Sequence, residues 1–425
     1  MSRIYDAVVV GGGPAGSTTA LLLARSGWSV ALVDKDVFPR RKVCGECIAA
    51  GNLALLDTLG LGSGVSSLAG AELRCMELWV GERRARADLP PAAGPRAWGR
   101  ALGREHLDVL LLDRVRASGA DVFEARAARS LEAGGGAAWA VRLGASRGGR
   151  EEKLQAHTVV LAQGSWGKPL GPGARARPQH RDDDLFAFKA NFRGTRLAPG
   201  VLPVFAFPGG YGGMVVADGE RATLAFCVRR DRLDTLRRDA GGGGAADAVA
   251  RHLVDTCLGV REALRGARLD ASWLAAGPLR PGVRGPDPRP GVFLVGNAAG
   301  EAHPIIGEGI SMALQGGCLL ARHLVAGGPR RDEPAWQRAG AAYAQQWRQQ
   351  FASRVRIAAV CAHSAMRPAL APLLFPLLQR HRGLLTWGAR MAGKARPALA
   401  AHLRAPGRHQ AATPDHHPIT PEETV

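Results

Sequence analysis

The first 34 residues constrain the fold of this chain more than any other stretch. Residues 4–10, IYDAVVV, form an apolar run rich in β-branched residues, which predicts a buried strand. The run is followed by GGGPAG, by a segment with helical apolar spacing that ends at Gly27, and by a second apolar strand that ends in Asp34. A strand, a glycine turn, a helix and a second strand form a βαβ unit, so we predict a Rossmann-like α/β domain.

The glycine turn of this unit has the spacing of a dinucleotide-binding loop. Gly11, Gly13 and Gly16 form G-x-G-x-x-G, in which the first glycine makes a tight turn, the second admits a pyrophosphate and the third lets helix and strand pack closely. The helix N-terminus offers unpaired N–H groups to the phosphates, and Asp34 can accept hydrogen bonds from a ribose. The surrounding strand and helix make an unrelated glycine turn a poor alternative. The predicted contacts, which leave NAD and FAD open, are Gly11, Gly13, Pro14, Ala15, Gly16, Asp34 and Lys35.

The chain is strongly basic, with a net charge of +19 over 425 residues. Such a charge could favour nucleic acid, anionic lipid or acidic ligands. However, no dense block of Lys and Arg interleaved with aromatic residues occurs. We therefore interpret the excess as a compositional bias spread along the chain, and we expect no nucleic-acid partner.

Cysteine usage and apolar runs bear on the compartment. The 7 cysteines are an odd number in a long chain, which argues against a disulfide framework and favours a reducing cytoplasm. The N-terminal apolar run is short and ends in a glycine turn, unlike a signal peptide. The most apolar later stretch, residues 370–393, is interrupted by proline and arginine, so at most it lies against a membrane or lines an apolar tunnel. We predict a cytoplasmic protein, with peripheral membrane contact as an alternative.

A second motif, near the other end of the chain, resembles a known family. Residues 292–317, VFLVGNAAGEAHPIIGEGISMALQGG, resemble the strand and helix with which the p-hydroxybenzoate hydroxylase-like flavoproteins hold their flavin. The stretches DKDVFPRRKVCGE (34–46) and HPIIGEGI (303–310) are most similar to the geranylgeranyl reductase branch of that superfamily. The resemblance covers residues 3–60, 98–168 and 290–325, and it implies that the dinucleotide is FAD.

The resemblance also implies positions for the flavin. Gly296 and Asn297 would meet the ribityl chain, and residues 304–310 would pass along the flavin ring, where backbone N–H groups stabilise the reduced, anionic flavin. Arg104 takes the place of an arginine near the FAD phosphates, although an exposed helix arginine is an equal alternative on spacing alone. The implied contacts in these later segments are Lys42, Cys44, Arg104, Gly296, Asn297, Pro304, Gly307, Gly309 and Ile310.

Cys44 and Cys47 have the two-residue separation of a redox dithiol or of half a zinc site. No second pair of ligands stands out, so we predict no metal site. Since Cys44 falls in the loop that the resemblance places close to the flavin, we interpret it as a pocket cysteine and Cys47 as a small buried apolar residue. Cys44 and His303 are the two candidates for catalysis, each with a structural role as the alternative. Glu308 is expected to face solvent or the pocket rim.

Three features depart from the superfamily pattern. Asn297 stands where Asp is usual, which keeps a partner for the ribityl chain but changes the polarity of its hydrogen bonds. Gln163 replaces an Asp that aromatic hydroxylases carry in connection with NAD(P)H, so NAD(P)H and a partner flavin reductase both stay open as electron donors. The W-x-W-x-I-P stretch of flavin halogenases is missing and residues 70–80 contain no lysine, which argues against halogenation.

The stretch VFAFPGGYGG (204–213) partly resembles the aromatic substrate motif of the isoprenoid reductases. Phe205 and Phe207 fit that motif, and Tyr211 and Met214 follow, so these four residues are the predicted substrate pocket. An apolar, aromatic wall over a flavin suits a hydrophobic substrate. Ordinary sheet core is the alternative for the same residues.

Together these inferences predict an α/β fold with a Rossmann-like FAD-binding domain in three segments, an inserted, mostly antiparallel β-sheet substrate domain, and a C-terminal helical region. The predicted FAD-binding segments are 1–70, 98–175 and 280–330, and the substrate domain comprises 71–97 and 176–279. Residues 331–405 are predicted to be helical and residues 406–425 to be a disordered tail.

The predicted function is that of an FAD-dependent oxidoreductase of secondary metabolism. Our first hypothesis is a monooxygenase that hydroxylates an aromatic, polyketide-like or lipid-tailed hydrophobic substrate in a water-poor cavity. Reduction of isoprenoid C=C bonds is the first alternative, and a flavin-binding protein without turnover is the second. The choice between the first two rests on analogy of fold.

Overall fold

The described part of the molecule consists of two large β-sheets, two short two-stranded sheets (Cys47–Ile48 with Arg100–Ala101, and Gly282–Val283 with Gly300–Glu301), the covering helices and a C-terminal group of helices. The computed structural model describes residues 3–135, 138–145, 152–167, 170, 181–329, 331–367 and 369–391. The predicted tail at 406–425 and the last part of the predicted helical region lie outside these residues.

The strands, numbered in chain order, are β1 (Ile4–Val10), β2 (Val30–Val33), β3 (Cys47–Ile48), β4 (Cys75–Val80), β5 (Arg83–Asp88), β6 (Arg100–Ala101), β7 (Asp121–Phe123), β8 (Arg126–Ala133), β9 (Trp139–Ala145), β10 (Glu152–Leu161), β11 (Leu185–Arg193), β12 (Val201–Phe207), β13 (Gly210–Val216), β14 (Ala222–Arg229), β15 (Arg268–Leu269), β16 (Leu274–Leu279), β17 (Gly282–Val283), β18 (Val292–Leu294) and β19 (Gly300–Glu301). The α-helices are α1 (Pro14–Arg25), α2 (Leu53–Thr58), α3 (Gly62–Leu68), α4 (Arg104–Ala117), α5 (Arg230–Asp239), α6 (Ala245–Thr256), α7 (Leu258–Ala263), α8 (Gly309–Val325), α9 (Glu333–Met366), α10 (Leu370–Arg380) and α11 (Arg382–Met391).

The first sheet carries the predicted βαβ unit. Its strands run in the order β7-β2-β1-β10-β9-β8, and β18 also pairs with β10. β1, β2, β7, β10 and β18 pair in parallel, whereas β8 and β9 are antiparallel. One face of the parallel strands packs against α1, α4 and α8. Their other face packs against β8 and β9 of the same sheet, so the parallel strands are buried on both sides.

The second sheet is mostly antiparallel, in the order β15-β11-β14-β13-β12-β4-β5, with β16 also on β11. Among the strand pairs that the structure describes in this sheet, only that of β4 and β12 is parallel. Helices α5, α6 and α7 cover one face of this sheet. The opposite face meets the 38–48 loop, the 303–309 segment and α9.

The C-terminal region begins with a long helix, α9, of 34 residues. The helix is capped by Asp332, whose carboxylate accepts a hydrogen bond from the Ala335 N–H at 2.8 Å. Its C-terminal end meets the β12–β13 turn, where the Gly209 N–H donates to the Met366 carbonyl at 2.9 Å. Helices α10 and α11 then lie across β4 and β5. Within the described part of the chain, no helix combines the length and apolarity that a membrane crossing requires.

Candidate active site

The first glycine motif adopts a turn that only glycine tolerates at two positions. Gly11 has φ +114°, and a Cβ atom there would overlap the Ala162 carbonyl. A Cβ atom on Gly16 would overlap the carbonyl oxygen of Gly11. Gly13 differs, because its Cβ atom would meet only the Arg104 guanidinium, at 3.6 Å. The turn therefore opens at Gly13 toward a positive charge.

The N-terminus of α1 completes this opening. The helix begins at Pro14 after Gly13, and no side chain caps its N–H groups. Arg104 begins α4 and donates to both carboxylate oxygens of Asp108, at 2.7 and 2.8 Å. Burial alone would lower the pKa of Arg104, but Asp108 outweighs burial, so the pKa is raised above its ordinary value. The side chain is only 14% exposed, so Arg104 is not an ordinary exposed helix arginine.

A second arginine, Arg40, lies beside the same opening, and our sequence analysis did not identify it. Its guanidinium lies 3.2 Å from Asp34, 3.5 Å from Asp108 and over the ring of Phe38. Its Nε and Nη1 atoms are buried and have no hydrogen-bond partner among the described residues. In the sequence, Arg40 and Arg41 are adjacent, and nothing in the local pattern distinguishes the buried one.

Asp34, which follows β2, makes hydrogen bonds within the protein in addition to any contact with a ribose. Asp34 accepts hydrogen bonds from the Gly12 N–H at 2.7 Å and from the Asp36 N–H at 2.9 Å. Asp34 therefore holds the glycine loop in place. Of the two lysines assigned to the cofactor, Lys35 is exposed, and Lys42 is half-buried and pairs with Asp36 at 3.3 Å.

The two glycine motifs, nearly 300 residues apart, meet in the structure. A Cβ atom on Gly296 would lie 2.8 Å from the Ala15 side chain, and one on Gly317 would lie 2.7 Å from the Ala15 carbonyl. Pro304–Ile306 forms a 3-10 turn, Gly307 has φ +60°, and α8 begins at Gly309 without a side-chain cap. A Cβ atom on Gly309 would meet nothing within 4 Å. The start of α8 is thus a second open helix N-terminus, although the assigned Ile310 is buried in the core behind it.

Asn297 is held by a polar network that the sequence did not reveal. Its amide nitrogen donates to Ser165 at 3.0 Å and to Glu301 at 3.3 Å, and the Ser165 hydroxyl donates to Glu301 at 2.6 Å. Arg284 lies 3.5 Å from Glu301 and also donates to the Asn297 carbonyl. Burial raises the pKa of Glu301. The amide nitrogen of Asn297 is therefore engaged, and its Oδ1 atom is the one suited to accept from a ribityl hydroxyl.

These features fit a bound FAD. An open glycine turn, an uncapped helix N-terminus and two largely buried arginines suit a pyrophosphate. A second uncapped helix N-terminus beyond Asn297 suits the polar edge of a flavin ring.

A tyrosine and a histidine meet between the 303–309 segment and the second sheet. The Tyr211 hydroxyl lies 3.2 Å from Nδ1 of His303, and both residues are buried. Burial and the neighbouring His363 lower the pKa of His303 to about 4. Burial raises the pKa of Tyr211 well above its ordinary value, and the Cys227 thiol beside it acts in the same direction. At neutral pH the pair therefore consists of a protonated phenol and a neutral imidazole.

Apolar side chains surround this pair. Tyr211 shares a buried cluster with Leu185, Ala187, Cys227 and Leu279 of the second sheet and with Ala362 of α9. Val43 and Ile305 pack against the same cluster from the 38–48 loop and the 303–309 segment. Of the predicted site residues, the structure thus brings Tyr211 and His303 together, next to the end of the predicted flavin site.

The other three predicted pocket residues do not lie there. Phe205, Phe207 and Met214 are buried in the core beneath α5, α6 and α7, on the opposite face of the sheet. Side chains alternate along a strand, and Tyr211 is out of phase with Gly210 and Gly212. The rings of Phe207 and Phe205 occupy the space over those glycines, where a Cβ atom would overlap them. The pattern that resembled a substrate motif is sheet core at these positions, so we remove these three residues from the pocket.

A buried ion pair links the 38–48 loop to the second sheet, and our sequence analysis missed it. Lys189 of β11 pairs with Glu46, and both side chains are fully buried. Thr223 of β14 also donates to Glu46, and Asn191 donates to Thr223 at 2.8 Å. Glu46 has φ +59°, which marks a constrained loop position. The sequence signal is one lysine within a largely apolar strand.

Cys44 lies in this loop and is partly buried, and its sulfur accepts from the Glu46 N–H at 3.3 Å. Arg104 also contacts the thiol. Cys47 is buried on β3, and neither cysteine is in a disulfide bond among the described residues. Among the described residues, no group of three or more His, Cys, Asp or Glu side chains is placed to hold a metal ion.

Glu308 does not face solvent. Its side chain is fully buried and lies 3.6 Å from Arg354 of α9, which also donates to Gln315 at 3.1 Å. The expectation from its flanking glycines was therefore wrong. The physical reason is that α9 brings a cation to this position from outside the motif.

Comparison with known families identifies the nucleotide-binding part. Residues 4–174 match the family model described as the FAD binding domain. A menaquinone reductase from Mycolicibacterium smegmatis is 28% identical over 366 residues, which span 79% of this chain and 80% of that protein. A 6-methylpretetramide 4-monooxygenase from Streptomyces rimosus is 40% identical over 119 residues, or 26% of this chain and 27% of that protein.

Solved structures share the whole architecture. A myxobacterial chondrochloren halogenase matches with a TM-score of 0.72 and 20% identity over 93% of this chain and 91% of its own. A geranylgeranyl bacteriochlorophyll reductase-like protein from Thermoplasma acidophilum matches with a TM-score of 0.68 and 19% identity over 91% and 92%. Since these proteins carry different descriptions on one fold, the likeness shows the fold and leaves the reaction to the site itself.

Proposed function

We propose that this chain, an FAD-dependent oxidoreductase, belongs to the p-hydroxybenzoate hydroxylase-like superfamily and is a monooxygenase that hydroxylates a hydrophobic aromatic substrate beside Tyr211 and His303. The observation that carries this proposal is the hydrogen bond between these two side chains inside an apolar cluster. FAD, when bound and reduced, supplies the electrons with which such enzymes activate dioxygen. The donor of those electrons is NAD(P)H or a partner flavin reductase.

The apolar cluster supports a hydrophobic substrate. Leu185, Leu279, Ala362 and Ile305 offer no polar group to a ligand, so an aromatic ring or an attached apolar tail would fit better than a polar metabolite. A site of this kind also excludes water, and this protects reactive intermediates of the reaction from hydrolysis.

Tyr211 and His303 supply a route for a proton. A substrate hydroxyl beside Tyr211 would pass its proton to the phenol oxygen while Tyr211 passes its own proton to Nδ1 of His303. His303 is neutral at pH 7 because its pKa is lowered to about 4, so it would pass this proton on and would not hold it. The His363 ring, 5.4 Å from His303 between centroids, is exposed and lies on the way to solvent. Drawing the proton from a phenol makes its ring richer in electrons, as hydroxylation requires.

Reduction of an isoprenoid C=C bond is the second candidate. The menaquinone reductase likeness, which extends along 79% of this chain, favours a reductase over an oxygenase. The chemistry of the pair favours it less. Hydride addition to carbon needs an acid to complete it, and neither a phenol of raised pKa nor an imidazole of pKa about 4 is a strong proton donor at pH 7.

A labelling experiment separates the two candidates. The FAD-loaded protein is reduced without oxygen and then mixed with isotopically labelled dioxygen and 1-naphthol or 1,8-dihydroxynaphthalene. We expect a product that carries one labelled oxygen atom, and we expect His303→Gln to slow its formation about 100-fold while FAD stays bound. His252→Gln is the matched control, because His252 contacts Phe207 on the other face of the sheet. If the naphthols gained no labelled oxygen and the reduced protein hydrogenated menaquinone in the absence of oxygen, the protein would be a reductase.

A further inference from the structure

The last two described helices leave large apolar side chains uncovered. Leu373 and Leu377 of α10 are 72% and 49% exposed, and Leu384 and Trp387 of α11 are 41% and 62% exposed. The spacing of each pair, i to i+4 and i to i+3, places its members on one side of their helix. Burial of Phe375 and Ala389 shows where each helix packs on the protein. Exposed apolar side chains grouped in this way mark a contact surface.

The chain segment that contains these helices carries charge of one sign. Residues 334–414 contain 12 arginines and lysines and no aspartate or glutamate, whereas the rest of the chain contains 44 basic and 37 acidic residues. This segment therefore supplies +12 of the net charge of +19. The excess of basic over acidic residues is therefore concentrated in the C-terminal region. This differs from our interpretation of the composition, which was a bias spread along the chain. Arg367, Arg380, His381 and Arg390 are exposed on or beside α10 and α11.

We infer that α10 and α11 dock this protein on the surface of an anionic lipid bilayer. Leucine and tryptophan side chains insert between headgroups, and arginines contact lipid phosphates, when a basic amphipathic helix lies in the interface. The helices have 11 and 10 residues, so at about 1.5 Å per residue neither could cross a hydrocarbon core of about 30 Å. They would lie flat on the bilayer.

An anionic bilayer fits this surface better than a second copy of the chain. Two copies that met through α10 and α11 would bring together two pairs of helices that carry arginines and no acidic residue, and like charges repel at an interface. A bilayer with anionic headgroups supplies the opposite charge and an apolar layer at once.

The position of the helices connects this surface to the rest of the protein. Ala389 packs in one cluster with Cys47 of the 38–48 loop and with Val215 of β13, and the Thr386 hydroxyl donates to the Asp88 carbonyl at 2.8 Å. Helix α11 is therefore fixed to the second sheet, and its exposed side is presented as part of a rigid body.

Vesicle cosedimentation of the FAD-loaded protein tests the inference. One set of vesicles is pure phosphatidylcholine, and the other is an equimolar mixture with phosphatidylglycerol. We expect binding to the mixed vesicles only, weakened as salt rises from about 0.1 M to 1 M because the Debye length shortens from about 10 to 3 Å. Absence of binding to mixed vesicles, or equal binding to both kinds, would overturn the inference.

Paired variants locate the contact. We expect Leu384→Ser with Trp387→Ser to weaken binding at least about tenfold through lost insertion of apolar surface. Leu269→Ser is the matched control, because Leu269 is 47% exposed on β15 at the other edge of the same sheet. Arg380→Gln with Arg390→Gln should weaken binding about fivefold for each arginine. The control is Arg237→Gln with Arg238→Gln on α5, which removes the same charge at a different place. We expect this control to change vesicle binding by less than about twofold.

FAD content and the melting temperature of each variant show whether it is folded, since all the substituted side chains are exposed. Sedimentation velocity without lipid tests the other occupant. If the serine variants turned a dimer into a monomer and left vesicle binding unchanged, the surface would be a self-association site and our inference would be wrong.

Discussion

The two faces of the second sheet belong to the same strands but differ in chemistry. The face beneath α5–α7 is apolar and includes Phe188, Phe205, Phe207, Met214, Leu224 and Phe226. The face toward the 38–48 loop and the 303–309 segment carries polar side chains in alternate positions of β11, β13 and β14, namely Lys189, Asn191, Tyr211, Thr223 and Cys227.

The two faces therefore have different roles: one stabilises the sheet, and the other positions the loops that pack on it. Apolar side chains need only to be covered, and three helices cover them. Buried polar side chains each need a partner, and these find theirs in the loops that surround the cofactor site or in one another. Lys189 pairs with Glu46, Tyr211 with His303, and Asn191 with Thr223. The helix-covered face holds the sheet together, and the other face fixes where the loops stand.

The largest effect is expected from Phe205→Ala on the helix-covered face. The ring is fully buried, so its loss should lower the free energy of unfolding by about 4 kcal/mol, measured by urea denaturation. FAD affinity of the folded fraction should not change. Val37→Ala, at a 62% exposed position, is the control and should cost under about 0.5 kcal/mol. Normal stability with lost turnover would return Phe205 to the substrate pocket.

The next effect is expected from Lys189→Met on the opposite face. The variant leaves the Glu46 carboxylate buried without its cation, which should cost about 3 kcal/mol. The double variant with Glu46→Gln should recover part of this loss, because it removes the stranded charge. Lys153→Met, at an exposed position of β10, is the control. A double variant no more stable than Lys189→Met alone would mean that packing, and not charge, explains the loss.

A smaller effect should appear as a dependence on pH. The folded pKa of His303 is about 4, below the ordinary value of 6.5, so the unfolded chain binds a proton in this window and the folded protein does not. The free energy of unfolding should therefore fall as pH falls from 6.5 to 4, by on the order of 2 kcal/mol from this residue. His303→Gln should remove that part of the slope in urea denaturation at several pH values. Parallel slopes for the two proteins would show that His303 is not buried as a neutral group.

The smallest effect is expected from Tyr211→Phe. Removal of one hydroxyl that shares a hydrogen bond with a neutral imidazole should cost about 1 kcal/mol of stability and leave FAD bound. Product formation from 1-naphthol should fall far more than stability does, because the route for the substrate proton is broken. Equal, small changes in both would assign Tyr211 a structural role alone.

The sequence predicted those parts of the fold that depend on local pattern. The βαβ unit, the glycine turn and the second flavin segment are each encoded within about 30 contiguous residues, so periodicity and glycine spacing suffice. Arg104 could be assigned only with the help of a family resemblance, because its partner Asp108 and its proximity to Gly13 depend on tertiary packing.

The parts that could not be predicted depend on register or on distant partners. A shift of one residue decides whether Phe205 or Tyr211 faces the cofactor site, and alternation alone does not say which face is which. Lys189 and Glu46 are 143 positions apart, so no local pattern announces their pairing. Glu308 looked exposed between two glycines because its cation, Arg354, lies on a helix that the motif does not include.

The Glu308–Arg354 ion pair also sets a limit on how the chain can be shortened for expression. Both glycine motifs lie before residue 326, so a gene designed by motif would end there. Such a product would lack α9, and the Glu308 carboxylate would be left without its cation at the start of α8. It would also lose Trp347 and Phe351 from the core of the nucleotide-binding part. The smallest useful unit for laboratory work therefore extends through Met366, where α9 meets the turn of the second sheet.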